Sequence, residues 1–122
     1  MMVFAVPALI AFGITVIHAV VGGREIARPL LQQETLSPTV TLTHYYCWHL
    51  ATISLAVLAG CYAYAAVSPD GRILAALATL VSAAFCVWGL VLVVWKHQRH
   101  RDMPQWVLFL GLTGSGVWAL AA

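Results

Sequence analysis

Four uncharged, apolar runs, each about as long as a bilayer-crossing helix, take up most of this chain. They cover residues 3–22, 42–67, 73–95 and 104–121. A bilayer core needs roughly 20 apolar residues per helical span, so four spans nearly fill a chain of 122 residues. The composition, 62% hydrophobic and 8% charged, is likewise far from that of a soluble domain. We therefore expect one all-α domain, 1–122, folded as an integral membrane four-helix bundle.

Turn and capping residues set the predicted boundaries of the helices. Ser37 followed by Pro38 is typical of an N-cap and the first residue of a helix. The sequence Ser-Pro-Asp-Gly at 68–71 predicts a tight turn between the second and third helices, and Asp102 marks the start of the fourth. Segment 23–41 mixes charged and apolar residues. We expect it to lie along the membrane interface, with part of it extending the first helix or forming a short surface helix.

The basic residues divide unequally between the two sides of the predicted bundle. Arg72 is alone on one side, and the other side carries Arg24, Arg28, Lys96, Arg99 and Arg101. Basic residues are enriched on the cytoplasmic side of membrane proteins. We therefore predict that both termini face away from the cytoplasm. Because the basic residues form no stripe interleaved with aromatic residues, nucleic acid is not an expected partner.

Small residues recur every three or four positions on each helix and so share one face. Lipid tails give no hydrophobic gain for helix association, so close approach through small residues has to supply much of it. The predicted contact faces are Ala8, Ala11, Thr15, His18 and Gly22 on the first helix, His49, Thr52, Ala56, Gly60 and Ala63 on the second, Ala78, Ser82, Cys86 and Gly89 on the third, and Gly111, Ser115 and Ala119 on the fourth.

Side chains that would carry catalysis are sparse. The acidic residues Glu25, Glu34, Asp70 and Asp102 all fall in or beside predicted loops. This leaves no carboxylate at membrane depth to bind a cation or relay protons. None of the 3 cysteines belongs to a C-x-x-C pair, and no nucleophile–base pattern is present. These features favour a protein without enzymatic activity.

Histidine is the residue type that points most directly to a site. His18 and His49 are predicted to lie at similar depths in the cytoplasmic half, each on the small face of its helix. Two neutral imidazoles can bind a haem iron or, together with His44, Glu25 or Cys47, a transition metal. Imidazoles between helices also commonly form hydrogen bonds that fix helix register. Both interpretations stay open at this point, as does a site for another ligand.

A second group of candidate residues carries charge. Arg24, Glu25 and Arg28 are expected to share a leaflet with the loop residues Lys96, Arg99 and Arg101. Such charges can bind anionic lipid headgroups or a partner protein, or they can serve only to set the topology.

Two short strings resemble a group of small, uncharacterised bacterial membrane proteins with four spans. They are HAVVGGREIARPLL at 18–31 and CWHLAT at 47–52. Proteins of that group pair an H-x-x-x-G segment and a P-L-L segment with a later W-H-L segment. The resemblance covers mainly the first half of the chain and implies no particular activity. It directs attention to His18 and His49 and favours a bacterial inner membrane, in which both termini would be periplasmic.

The expected function is that of a non-enzymatic accessory subunit or small binding module, acting with another membrane protein or as a homo-oligomer. The alternative is a membrane redox protein that binds haem or a metal through His18 and His49. A third possibility is a small transporter or channel formed by oligomerisation.

Overall fold

The computed structural model describes all 122 residues and contains four long helices and no strands. We number the helices α1, Met2–Gln32; α2, Pro38–Val67; α3, Arg72–Trp95; and α4, Gln105–Ala121. The first three are long and apolar enough to cross a membrane, with α3 taken together with the turn before it, and α4 is a shorter apolar helix. The protein is therefore an all-α membrane four-helix bundle, as the sequence predicts.

The predicted cap and turn around α2 are both present. The Ser37 hydroxyl accepts a hydrogen bond from the Val40 amide at 3.4 Å, and the proline that follows Ser37 is the first residue of α2. After α2, residues Pro69–Gly71 form a single 3-10 turn that leads directly into α3. Gly71 has no room for a side chain, because a Cβ would lie 2.5 Å from the Cα of Ala65. Helices α2 and α3 thus form a tight hairpin.

Helix α1 continues beyond its predicted span to Gln32, so residues 23–32 extend the first helix, which is one of the two forms expected for part of this segment. Its position along the membrane interface stays a prediction. Residues His18–Ala27 are π-helical, with wider turns closed by i→i+5 hydrogen bonds such as that from the Arg28 amide to the Gly23 carbonyl. The π-helix lets the chain pass the Gly22-Gly23 pair without ending the helix. Glu25, which was expected in a loop, consequently lies on α1.

The four helices form a ring in which α1 packs mainly on α2 and α3 mainly on α4. Weaker contacts between α2 and α3 and between α1 and α4 close the ring. The buried core is Phe4, Ala11, Ile14, Leu55, Leu58, Tyr62, Ala65, Ala75, Ala78, Leu112 and Ala119. These residues come from the first half of α1 and α3 and from the second half of α2 and α4. Close packing is therefore concentrated in the half of the bundle that contains both termini.

The predicted contact faces are confirmed for α1 and α3, whose small residues are all buried or half-buried. They are wrong for most of α2 and part of α4. On α2, the exposed residues are His49, Ala56, Gly60 and Ala63, and the inward face instead carries Trp48, Leu55, Leu58, Tyr62 and Ala65. On α4, Gly111 is exposed and Ser115 half-buried, whereas Leu112, Gly116 and Ala119 are buried.

A hydrogen bond at the centre of the core explains why α2 turns its large residues inward. The Thr79 hydroxyl donates to the Ala75 carbonyl at 2.8 Å, so the Tyr62 hydroxyl, 2.9 Å away, donates to Thr79. A phenol hydroxyl left unpaired in hydrocarbon would be costly. Gly116 makes room for this pair, since a Cβ there would lie 2.7 Å from the Tyr62 oxygen.

Polar contacts also join α3 to α4 along their length. At one end the Arg72 guanidinium donates to the Leu120 carbonyl. Further along, the Cys86 thiol donates to the Trp106 carbonyl at 3.3 Å. These contacts place the start of α3 beside the end of α4, so the two helices run antiparallel. They also put Arg72 at the end of the bundle opposite to the other basic residues.

Replacing Gly116 by alanine should destabilise the protein, because the added methyl group would push apart Tyr62 and Thr79. We expect a loss of about 1–3 kcal/mol, the usual cost of overpacking a core. The measurement is the free energy of unfolding in detergent. Gly114→Ala on the same helix is the matched control, because a Cβ at Gly114 would meet nothing within 4 Å. Equal losses in the two variants would contradict the packing described here.

Candidate ligand-binding cavity

A mostly apolar cavity of about 440 Å³ lies between the four helices, in the half of the bundle that carries most of the charge. Its deeper wall includes Ile14 of α1, Leu55 of α2 and Leu108 of α4. Exposed polar residues mark its mouth, where Glu25 lies on α1 and Asp102 in the loop before α4. The cavity thus leads from an apolar interior to a charged rim.

Aromatic side chains contribute to the cavity wall from three helices. Trp48 comes from α2, Phe85 and Trp88 from α3, and Phe109 from α4. The rings of Phe85 and Phe109 meet edge to face, with 5.3 Å between their centroids. Aromatic faces carry partial negative charge, so such a wall can hold an apolar body or a cation.

His18 and Gly22 hold Trp48 in place from the side of α1. The imidazole of His18 stacks on the indole with 3.9 Å between ring centroids and 17° between the planes. Gly22 lies one turn further along, and a Cβ there would be 2.6 Å from the Cη2 atom of the indole. Only glycine allows the ring to approach this closely. His18 and Gly22, the two ends of the H-x-x-x-G segment, therefore form one surface against which Trp48 packs.

Hydrogen bonds determine which nitrogen of His18 carries the proton. The Thr52 hydroxyl donates to the Trp48 carbonyl at 3.1 Å, so its oxygen is free to accept. His18 Nε2 lies 3.0 Å from that oxygen and 3.4 Å from the same carbonyl. Both neighbours accept, and Nε2 is therefore the protonated nitrogen. His18 Nδ1 forms no hydrogen bond within the chain, which leaves it as an acceptor.

The two carboxylates at the mouth differ in their neighbours. Asp102 lies 3.2 Å from Arg99 Nε and 3.8 Å from Arg101 Nε, in ion pairs whose side chains are all exposed. Glu25 forms no ion pair, although Arg24 and Arg28 flank it on α1 and border the same shallow polar hollow beside the cavity. Glu25 is therefore the less neutralised of the two.

Of the two histidines predicted to form one site, His18 lies on the cavity wall and His49 does not. His18 and His49 do lie at the same depth, because His18 packs on Trp48, the residue next to His49. The orientation expected for His49 is wrong, however: its side chain is exposed and meets the edge of Tyr45. A step of about 100° per helical residue explains this, since Trp48 takes the inward position. His44 is exposed as well.

The donor groups expected for a metal do not converge. No group of three or more His, Cys, Asp or Glu side chains lies close enough to hold a metal ion. His18 Nε2 is already engaged by Thr52, which leaves Nδ1 as its only free ligand atom.

The charged segments of α1 and of the loop at 96–104 do meet at one end of the bundle, as expected. Glu25 and Asp102 border the same cavity. Lys96 does not line the cavity, and its ammonium lies 4.1 Å from the centroid of the Trp95 ring. Trp48 and Asp102 were not among the site residues predicted from the sequence, whereas Thr52 was placed on the contact face of α2. The signal for Trp48 was its place beside His49 at the depth of His18.

No protein-family model, curated protein or solved structure matches this chain. Its function therefore has to be inferred from the cavity and the residues around it.

Replacing Thr52 by valine should destabilise the contact between α1 and α2, because His18 Nε2 would lose its nearer acceptor. We expect a loss of about 1–2 kcal/mol, the usual effect of removing one partner of a buried hydrogen bond. Thr43→Val on the same helix is the control, since the exposed Thr43 hydroxyl bonds only to the Thr39 carbonyl of its own helix. Unfolding free energies in detergent would show the difference, and indistinguishable values would count against the assigned role of Thr52.

Proposed function

We propose that this protein is a non-enzymatic membrane binding module that holds a small, largely apolar molecule in the cavity between its four helices. The observation that carries the proposal is the cavity itself. Its volume of about 440 Å³ falls within the range of small-molecule sites, roughly 300–1,000 Å³. Apolar walls with a few polar groups at one end are also typical of such sites.

The contrast between the two halves of the bundle supports a ligand site over loose packing. Tyr62, Ala75 and Leu112 in the terminal half have no exposed surface. Helices that pack so closely at one end leave a partly open space many times larger than a water molecule at the other. A bound molecule would restore the missing contacts.

The alternatives from sequence have less support. Haem or metal ligation by His18 and His49 would need two imidazoles that face one space, and His49 is exposed. A single copy offers no path for a transporter or channel, because the core around Tyr62 is closed, so such a path would have to run between copies. The exposed small residues Ala56, Gly60 and Ala63 offer a partner helix a face for close approach. We therefore keep a membrane-protein partner or a homo-oligomer as part of the proposal.

We place the protein in a bacterial inner membrane with both termini in the periplasm and the mouth of the cavity on the cytoplasmic side. The distribution of basic residues favours this orientation. In it, Arg24, Arg28, Lys96, Arg99 and Arg101 would lie at the level of anionic lipid headgroups.

Filling the cavity should abolish ligand binding. Ala51 lies on the cavity wall, and Ala51→Phe would add a ring to that space. We expect saturable binding of the neutral fluorophore Nile red to purified protein to weaken about tenfold or more, which corresponds to roughly 1.4 kcal/mol. Ala56→Phe is the control, because Ala56 is an exposed alanine of the same helix that is not on the wall. Absence of saturable binding, or equal binding by both variants, would reject the proposed function.

The orientation has a separate test. In a variant without the native Cys47, Cys61 and Cys86, a thiol introduced by Asp70→Cys should react with a membrane-impermeant maleimide in intact cells. A thiol introduced by Gln98→Cys should react only after the cells are lysed. Both positions are exposed. The reverse pattern would place the charged end in the periplasm.

A further inference from the structure

Every charged side chain on the cavity wall is acidic. Of the residues that line the cavity, only Glu25 and Asp102 carry a formal charge, and no lysine or arginine is among them. The nearby Arg24 and Arg28 are not on this wall, and they border an adjoining hollow that shares Val21 and Glu25 with the cavity. A ligand inside the cavity would therefore meet carboxylates before it met any basic group.

The neutral polar group deeper on the wall also favours a ligand that donates hydrogen bonds. His18 presents Nδ1 as an unused acceptor, because Nε2 is taken up by Thr52. Glu25 follows His18 by seven positions along the π-helical part of α1 and lies nearer the mouth. Hydrogen-bond acceptors thus occur at two depths of the same cavity, on His18 and on Glu25.

The aromatic lining is compatible with positive charge. Trp48 and Trp88 flank the cavity, and indole is the ring that attracts cations most strongly. Trp88 is 59% exposed, so its ring lies towards the outer side of the cavity. Carboxylates and indoles together stabilise a cation that has lost much of its water.

From this complementarity we infer that the cavity selects hydrophobic cations, molecules with an apolar or aromatic body and a protonated amine or a delocalised positive charge. The inference rests on the proposed binding function and names its ligand class. The body of the ligand occupies the space between Ile14, Leu55 and Phe109. Its charge lies at the mouth, between Glu25 and Asp102.

Glu25 and Asp102 contribute unequally to the binding of a cation. Asp102 shares its charge with Arg99 at 3.2 Å, whereas Glu25 has no ion-pair partner. Removing the charge of Glu25 should therefore weaken cation binding more than removing that of Asp102. This order separates attraction by a particular carboxylate from a general effect of net charge.

Two ions of nearly the same size and shape and of opposite charge provide the test. Tetraphenylphosphonium should displace Nile red from the protein in uncharged detergent micelles, and tetraphenylborate should displace it only at a much higher concentration. In Glu25→Gln, the concentration of tetraphenylphosphonium needed should rise about tenfold, a change of roughly 1.4 kcal/mol. Asp102→Asn should have a smaller effect. Glu34→Gln is the control, because Glu34 is exposed and is not on the cavity wall.

The outcomes separate the ligand class from the proposed function. If Nile red binds and Ala51→Phe blocks it, but tetraphenylborate competes as well as tetraphenylphosphonium, the preference for cations is wrong and the binding module stands. If Nile red shows no saturable binding, both proposals fail. The comparison of the two ions needs only the unmodified protein, so a variant that does not fold cannot hide a negative result. An equal effect of Glu34→Gln and Glu25→Gln would also overturn the assignment of Glu25.

Discussion

Two threonines carry the polar contacts that fix helix α2 in this bundle. Hydrocarbon offers no hydrogen-bond partner, so a polar ring between helices has to find one in the protein. Thr52 and Thr79 each donate to a carbonyl of their own helix and accept from a ring on a neighbouring helix. Thr52 accepts from His18, which joins α1 to α2, and Thr79 accepts from Tyr62, which joins α2 to α3.

These contacts determine how α2 is rotated and so decide which of its residues are available for function. With Tyr62 held towards α3 and Trp48 held against α1, the small residues Ala56 and Gly60 turn outward. The glycines that matter for packing lie opposite these rings, on other helices: Gly22 faces Trp48 and Gly116 faces Tyr62. At these two positions glycine accommodates an aromatic ring from a neighbouring helix and not the backbone of a second small face.

This difference explains what the sequence could and could not predict. Apolar runs, the cap at Ser37 and the turn at 68–71 depend on local chemistry, and each was predictable. The inward faces of α1 and α3 also followed from small residues alone. The rotation of α2 did not, because it depends on pairings between Tyr62 and Thr79 and between His18 and Thr52. Those partners are 17 and 34 residues apart, and no local pattern connects them.

The sequence predicted the level of the candidate site along the helices but not all of the residues that form it. The sequence placed His18 and His49 at one level, and Trp48 confirms that level by stacking on His18. His49 was assigned to the site because it shares a helix face with small residues, and such faces were expected to pack against other helices. On α2 that face is exposed instead. Glu25 was missed as a wall residue because a Gly-Gly pair and charged residues usually end a helix, whereas here a π-helix continues through them.

Connectivity gives a reason for the cavity to lie at the charged end. The connections at 33–37 and 96–104 each join helices that already pack closely, α1 with α2 and α3 with α4. Only the turn at 68–71 links one pair to the other, and it lies at the opposite end, where Gly71 packs tightly against Ala65. Near that turn the pairs are held together by the chain and by the bond between Tyr62 and Thr79. At the charged end no covalent link holds the pairs together, so they can separate and leave space between Trp48 on one side and Trp88 on the other. A ligand that binds there would join the two pairs where the chain does not, and its binding would therefore stabilise the whole bundle.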